Sequence, residues 1–224
     1  MSTPNLEDDS CTLYLLRHGD CRRDEVKRYI GQVDLPLNAD GRAQARALRK
    51  HLAKTSFKRI YASDLKRCLE TARIIAGPQG KSIRTLPQLR EIKLGYWDGR
   101  PQEKIRQYHP EEYRQRGENL IEFRPPGGES FADLQERVVP AFRELIEGQQ
   151  GTILLVAHAG VNRTILCHLL GRPLEDLFAL PQPFGCVNVI ERRGRKLEVK
   201  VINESLATEP KTATAGYRSV NRNL

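Results

Sequence analysis

The sequence predicts an α/β protein: a three-layer α/β/α sandwich with helices on both faces of a mostly parallel central sheet and an antiparallel edge. Three observations predict it. Two apolar runs of strand length, Thr12–Leu16 and Thr152–Ala157, lead into Arg17-His18-Gly19 and His158-Ala159-Gly160. Strand-like runs alternate with segments of helical period along most of the 224 residues. Near the end, two alternating runs flank Gly194 and read as a hairpin.

The elements follow in order. After the first strand, Asp20–Ala39 is a polar loop containing Gly31 and Pro36. Asn38 caps a helix over about 40–54, with Ala45, Leu48 and Leu52 on one face. Arg59–Ala62 is a short strand, and Ser63 is read as the cap of a helix running to Ala76. Ser82–Thr85 is an edge strand, and Pro87–Gly127 is irregular with short helices, broken by Gly99, Pro101, Pro110 and Pro125-Pro126. Ser130 and Asp133 form a capping box before a core-facing stripe of Phe131, Leu134, Val138, Phe142 and Leu145. Pro140 within that stripe is expected to kink or split the helix. The second histidine strand precedes a helix over Val161–Leu170, which stops at Gly171. Cys186–Glu191 and Leu197–Ile202 make the hairpin, and one domain over 11–204 is followed by a polar, mobile basic tail over 205–224.

Composition bounds the function. No stretch approaches the roughly 18 apolar residues of a membrane span. The polar start, with Glu7, Asp8 and Asp9, lacks the regions of a signal peptide, so a cytoplasmic location is expected. Five scattered cysteines with no CxxC pair fit neither a disulfide framework nor a zinc site. The net charge of +9 raises a nucleic-acid partner. That partner is disfavoured, because the bases read as spread along the chain without an aromatic RNA signature or finger spacing. A small acidic substrate accounts for the charge equally well.

Ligands of open α/β sheets bind beyond the carboxyl ends of the strands. Neighbouring histidine strands would therefore bring two imidazoles and Arg17 to one edge, a site for an anion. Taken singly, each residue has a plain alternative. His18 reads equally as a satisfied strand-end histidine, His158 as a core histidine, Arg67 as a solvated helix charge and Glu91 as a loop carboxylate. His51, His109 and His168 match no motif.

Four further strings change that weighting: Ser63-Asp64-Leu65-Lys66-Arg67, Leu89-Arg90-Glu91, Gly127-Gly128-Glu129-Ser130 and the second histidine motif. With Arg17-His18-Gly19 they form an ordered set that resembles the histidine phosphatase superfamily, the phosphoglycerate mutase-like fold, over roughly Thr12 to Asn203. The resemblance implies a phosphohistidine on His18, a clamp of Arg17 and Arg67 with a further hydrogen bond from His158, and Glu91 as general acid and base. The chemistry suits these types. Guanidinium groups bind phosphoryl oxygens bidentately and keep their charge, a neutral imidazole attacks phosphorus, and a carboxyl group protonates the leaving oxygen. The family's RHGExxxN pattern places Asp24 where an asparagine contacts phosphate, so a carboxylate there needs a proton or a partner among Arg22, Arg23 and Arg28. Backbone N–H groups at Ile30, Gly31 and Ala159 are further candidates for the phosphate or its substituent. Neither a metal nor a cofactor is expected.

Only 35 residues separate Glu91 from Gly127, whereas mutases of the family carry a much longer insertion. The resemblance therefore implies a phosphomonoesterase acting on a small phosphorylated metabolite. Gly31–Leu37 is similar to the segment in α-ribazole phosphatases, and much of it is shared by broad-specificity and phosphoserine phosphatases. A phosphoglycerate mutase-type phosphotransferase and a catalytically silent phospho-ligand or nucleic-acid binder stay open, as does a homodimer.

Overall fold

In the computed structural model, residues 9–78 and 82–204 are described; the proposed tail at 205–224 lies outside them. Six strands form one mixed sheet: β1 (Ser10–Arg17), β2 (Arg59–Ala62), β3 (Ile83–Thr85), β4 (Gly151–Ala157), β5 (Val187–Arg193) and β6 (Lys196–Glu204). Their order is β3-β2-β4-β1-β5-β6. β1, β2, β3 and β4 are mutually parallel, while β5 runs antiparallel to both β1 and β6. The aliphatic runs of β1 and β4 are buried on both faces, as central parallel strands must be.

Helices cover both faces. α1 (Ala39–His51), the 3₁₀ turn that follows it and α2 (Lys66–Ala76) close one face through Leu48, Leu52, Cys68, Ala72 and Ile75, against Leu16, Ile60, Leu154 and Val156. On the other face, α3 (Gln102–Tyr108), α5 (Phe131–Ile146) and α6 (Ala159–Leu170) bury Ile105, Leu134, Val138, Phe142, Val161 and Ile165 against Leu13, Leu15, Ile153 and Leu155. Each such side chain contributes about 1.5–3 kcal/mol on burial. α4 (Pro110–Glu118) buries none of its residues.

Several ends differ from the sequence reading. Asn38 does cap α1, accepting from the Gly41 amide, and the capping box of Ser130 and Asp133 is formed. Pro140 lies within α5 without dividing it. α1 stops at His51, and a 3₁₀ turn carries the chain to Lys54. α6 starts two residues early, at Ala159, because His158 occupies the cap position. Ser63 does not cap α2, which begins at Lys66. Asp34, from the loop between β1 and α1, accepts the Lys66 amide at 2.6 Å, and the Ser63 hydroxyl meets His158.

Candidate active site

β1 and β4 pair over seven residues and end with Arg17 opposite Ala157, so the two histidines leave the sheet side by side. The His18 amide donates to Ala157 O at 3.0 Å, and the two imidazole centroids lie 5.1 Å apart. Behind His18 the backbone turns against α1 with no side chain between them. A Cβ on Gly19 would lie 2.5 Å from Gly41 O, and one on Gly41 would lie 2.0 Å from Asp20 O. Glycine is required at both.

The ring of His18 is oriented by its own turn. Nδ1 lies 2.7 Å from Gly19 O, and a carbonyl only accepts, so Nδ1 carries the proton and Nε2 keeps its lone pair. Arg67, buried on the first turn of α2, spans both rings: its Nε donates to His18 Nε2 at 3.2 Å and His158 Nδ1 at 3.3 Å. Its terminal nitrogens donate to Val33 O at 2.8 Å and Gly31 O at 2.6 Å. His158, accepting at Nδ1, donates from Nε2 to Ser63 Oγ at 2.9 Å. Burial, then the charges of Arg67 and Arg17, hold His18 well below the usual histidine range. Burial, Arg67 and His18 do the same for His158, so both rings are neutral.

Arg17 donates to Gln182 O, and its guanidinium carbon lies 3.8 Å above the Phe184 ring. Burial lowers its pKa to about 10, which leaves it charged at neutral pH. Its Nε is buried without a partner, an unspent donor beside the nucleophile candidate.

Glu91 is buried, with Oε2 accepting from the Gly160 amide at 3.1 Å and Oε1 from the Ile92 amide at 3.0 Å. Its loop is tied to α5 by Arg137, which donates to Gln88 O and Arg90 O and pairs with Glu129 at 2.7 Å. Glu129 also accepts the Lys93 amide at 2.9 Å. It thus braces this loop rather than merely complementing a helix dipole.

A cavity of about 770 Å³ opens over these groups. Arg17, His18, Asp24, Arg28, Ile30, Glu91 and Ala159 line it; Arg67 and His158 lie buried next to His18. Asp24 meets one of the partners expected for it, and one expectation, at Gly31, changes. Asp24 sits at the exposed rim and pairs with Arg28 at 2.8 Å, which lowers its carboxyl pKa, so it stands there as a paired anion. Arg22 is held by Asp20 instead. The Gly31 N–H is not offered to a ligand: Asp98 accepts it at 2.7 Å and the Gln32 N–H at 2.8 Å. Asp98 thereby fixes the loop whose carbonyls hold Arg67.

Sequence reasoning missed Ser63, Asp98, Arg163, Gln182 and Phe184 as parts of this site. Arg163, in the first turns of α6, lines the cavity and donates to Leu180 O at 2.9 Å. Its spacing of five from His158 was the available signal. Phe184 and Gln182 reach the site only because antiparallel β5 begins beside the end of β1.

Such a fold brings two neutral imidazoles and fixed guanidinium groups to one edge of an α/β sheet. The chain belongs to the histidine phosphatase superfamily (branch 1), whose family model matches residues 13–205. It is 29% identical over 192 residues to the adenosylcobalamin/α-ribazole phosphatase of Escherichia coli, covering 85% of this chain and 95% of that protein. It is 32% identical over 177 residues to phosphoserine phosphatase 1 of Hydrogenobacter thermophilus, covering 79% and 82%. The crystal structure of the α-ribazole phosphatase from Shigella flexneri superposes with a TM-score of 0.81 at 28% identity, covering 89% of this chain and all of that one. Among the described residues, no helix is long and apolar enough to cross a membrane.

Proposed function

We propose that this protein is a phosphomonoesterase that hydrolyses a small phosphorylated metabolite through a phosphohistidine on His18. The observation that carries this reading is the His18 ring: Nδ1–H is held by Gly19 O, leaving the Nε2 lone pair on a neutral imidazole beside Arg67 and Arg17. In the first step Nε2 forms a bond to phosphorus, the bond to the ester oxygen breaks, and Glu91 gives that oxygen its proton. In the second, Glu91 takes a proton from water as it attacks phosphorus, the P–N bond breaks, and inorganic phosphate leaves. The guanidinium groups of Arg17 and Arg67 supply the positive charge that the transferring phosphoryl group requires. Phosphoryl oxygens would take up the orphaned Arg17 Nε–H and the Arg67 Nε–H that now rests on the imidazoles.

The similar phosphatases act, by their names, on small phosphorylated metabolites, and they support hydrolysis over transfer. The test is a panel of phosphate monoesters assayed for inorganic phosphate, together with acid-sensitive phosphate trapped on the protein in a rapid quench. Phosphate release with a label on His18 supports the reading. Transfer to a second hydroxyl without release supports the mutase alternative.

A further inference from the structure

The positive charge of this chain is not spread evenly. Residues 41–90 hold 13 lysines and arginines against Asp64 and Glu70 alone, a net +11 within a chain whose total is +9. Everything outside that segment sums to −2. The bases are spread along the chain, but the acidic residues that balance them elsewhere are nearly missing from this segment, and folding gathers its bases further. α1 and α2 lie side by side on one sheet face: Arg42 reaches Glu70 at 2.6 Å, and a Cβ on Gly77 would lie 2.8 Å from the Arg49 guanidinium. Arg46 and Arg73 fall between those two contacts, one on each helix. Lys50 and Lys54 follow Arg49, and Lys58 precedes β2 at the same end. A second cavity of about 470 Å³ opens there, lined by Arg49, Lys54 and Phe57 among others.

All six of Arg46, Arg49, Lys50, Lys54, Lys58 and Arg73 are exposed, and among the described residues none has a carboxylate within ion-pair distance. Glu70 is spent on Arg42 and the Leu37 amide. Cations near helix C-termini are stabilising, which accounts for one or two of them. It does not account for six cations with no anion interspersed. The face also carries none of the large exposed apolar side chains found elsewhere on the molecule, such as Tyr108 and Phe178. It thus has no wedge for a bilayer, no large aromatic anchor for a protein partner and no exposed phenyl, phenol or indole ring on which to stack an unpaired base. What remains fits phosphates along a backbone: α1 spans thirteen residues, about 20 Å, comparable to half a turn or more of a duplex.

We propose that the α1/α2 face binds double-stranded nucleic acid through its phosphate backbone, without sequence preference. This face is separate from the strand-end site, and the proposal does not rest on the phosphatase reading.

The test is fluorescence anisotropy of the full chain with labelled 24-bp DNA and RNA duplexes over a salt series, beside sedimentation with phosphatidylserine vesicles. Six contacts predict that affinity falls about 10³-fold between 50 and 200 mM salt. The triple variant Arg46→Gln, Arg49→Gln, Lys50→Gln should lower the salt slope by about 3 and leave p-nitrophenyl phosphate turnover unchanged. The same change at Arg193, Arg195 and Lys196 in the β5–β6 hairpin should leave binding intact. No duplex binding at low salt, equal loss in both variants, or binding to vesicles alone would each overturn the proposal.

Discussion

Gly160 makes room for Glu91. The Gly160 amide holds Oε2 at 3.1 Å, and a Cβ at this position would stand 2.3 Å from Oε1. The start of α6 thus seats the carboxyl group while contributing nothing bulkier than a backbone. Gly160→Ala should displace Glu91 and lower kcat on alkyl phosphates by about 10²-fold. An aryl phosphate with an acidic phenol should suffer far less in its first step. Equal losses on both substrates would show that the substitution damages something other than the proposed proton donor.

The two proposed chemical roles separate by leaving group. His18→Ala should lose turnover on every ester. Glu91→Gln should fail on alkyl phosphates but still release an acidic phenol, then stall because no base activates water. A burst of phenol with phosphate trapped on His18 is the expected signature. Unchanged steady-state turnover of alkyl phosphates by Glu91→Gln would remove Glu91 from the mechanism.

Acid should destabilise the fold through its two buried imidazoles. Both are held well below the usual 6.5 by burial and by neighbouring guanidinium groups. Below pH 6.5 the unfolded chain therefore takes up protons that the folded chain refuses. Stability is full above that pH and falls as the pH drops, by about 1.4 kcal/mol per pH unit for each ring. Tm measured from pH 7.5 down to 5 should decline, and His158→Gln should flatten the slope. A level profile in the parent protein would contradict the burial argument.

At the rim, Asp24 neutralises Arg28 across 2.8 Å. Asp24→Asn should free that guanidinium and lower KM a few-fold for substrates carrying a second anionic group. KM for an uncharged aryl phosphate should stay unchanged. Arg23→Gln, which removes a cation lining the cavity, should act in the opposite sense on the same substrates. Identical shifts for charged and uncharged esters would show that these residues do not meet the substrate.

The strand-end histidines and the capping box of α5 were legible because each depends on residues close in sequence. The pairing of β1 with β4, which the sequence left conditional, is what brings the histidines together. Ser63 was misread for an instructive reason. A serine before a helix is ordinarily a cap, but here Asp34 arrives from 32 residues away to take that place. No local pattern announces such a substitution, and it frees the hydroxyl for His158. Gly31 failed similarly, since the carboxylate that occupies its amide is Asp98, supplied by a distant loop. The uneven charge was present in the sequence throughout, but it became visible only when counted by segment.

The meeting of Gly19 with Gly41 constrains change in an unusual way. Most crowded positions can be relieved by a second mutation that trims the neighbouring side chain. Here the atoms in the way are carbonyl oxygens, one in a helix and one in the turn itself, and no substitution trims a carbonyl. The two positions behave as a single genetic locus with one permitted state. A suppressor screen starting from Gly19→Ala should return nothing at adjacent side chains, only rare changes that translate the whole of α1 away from the turn after His18.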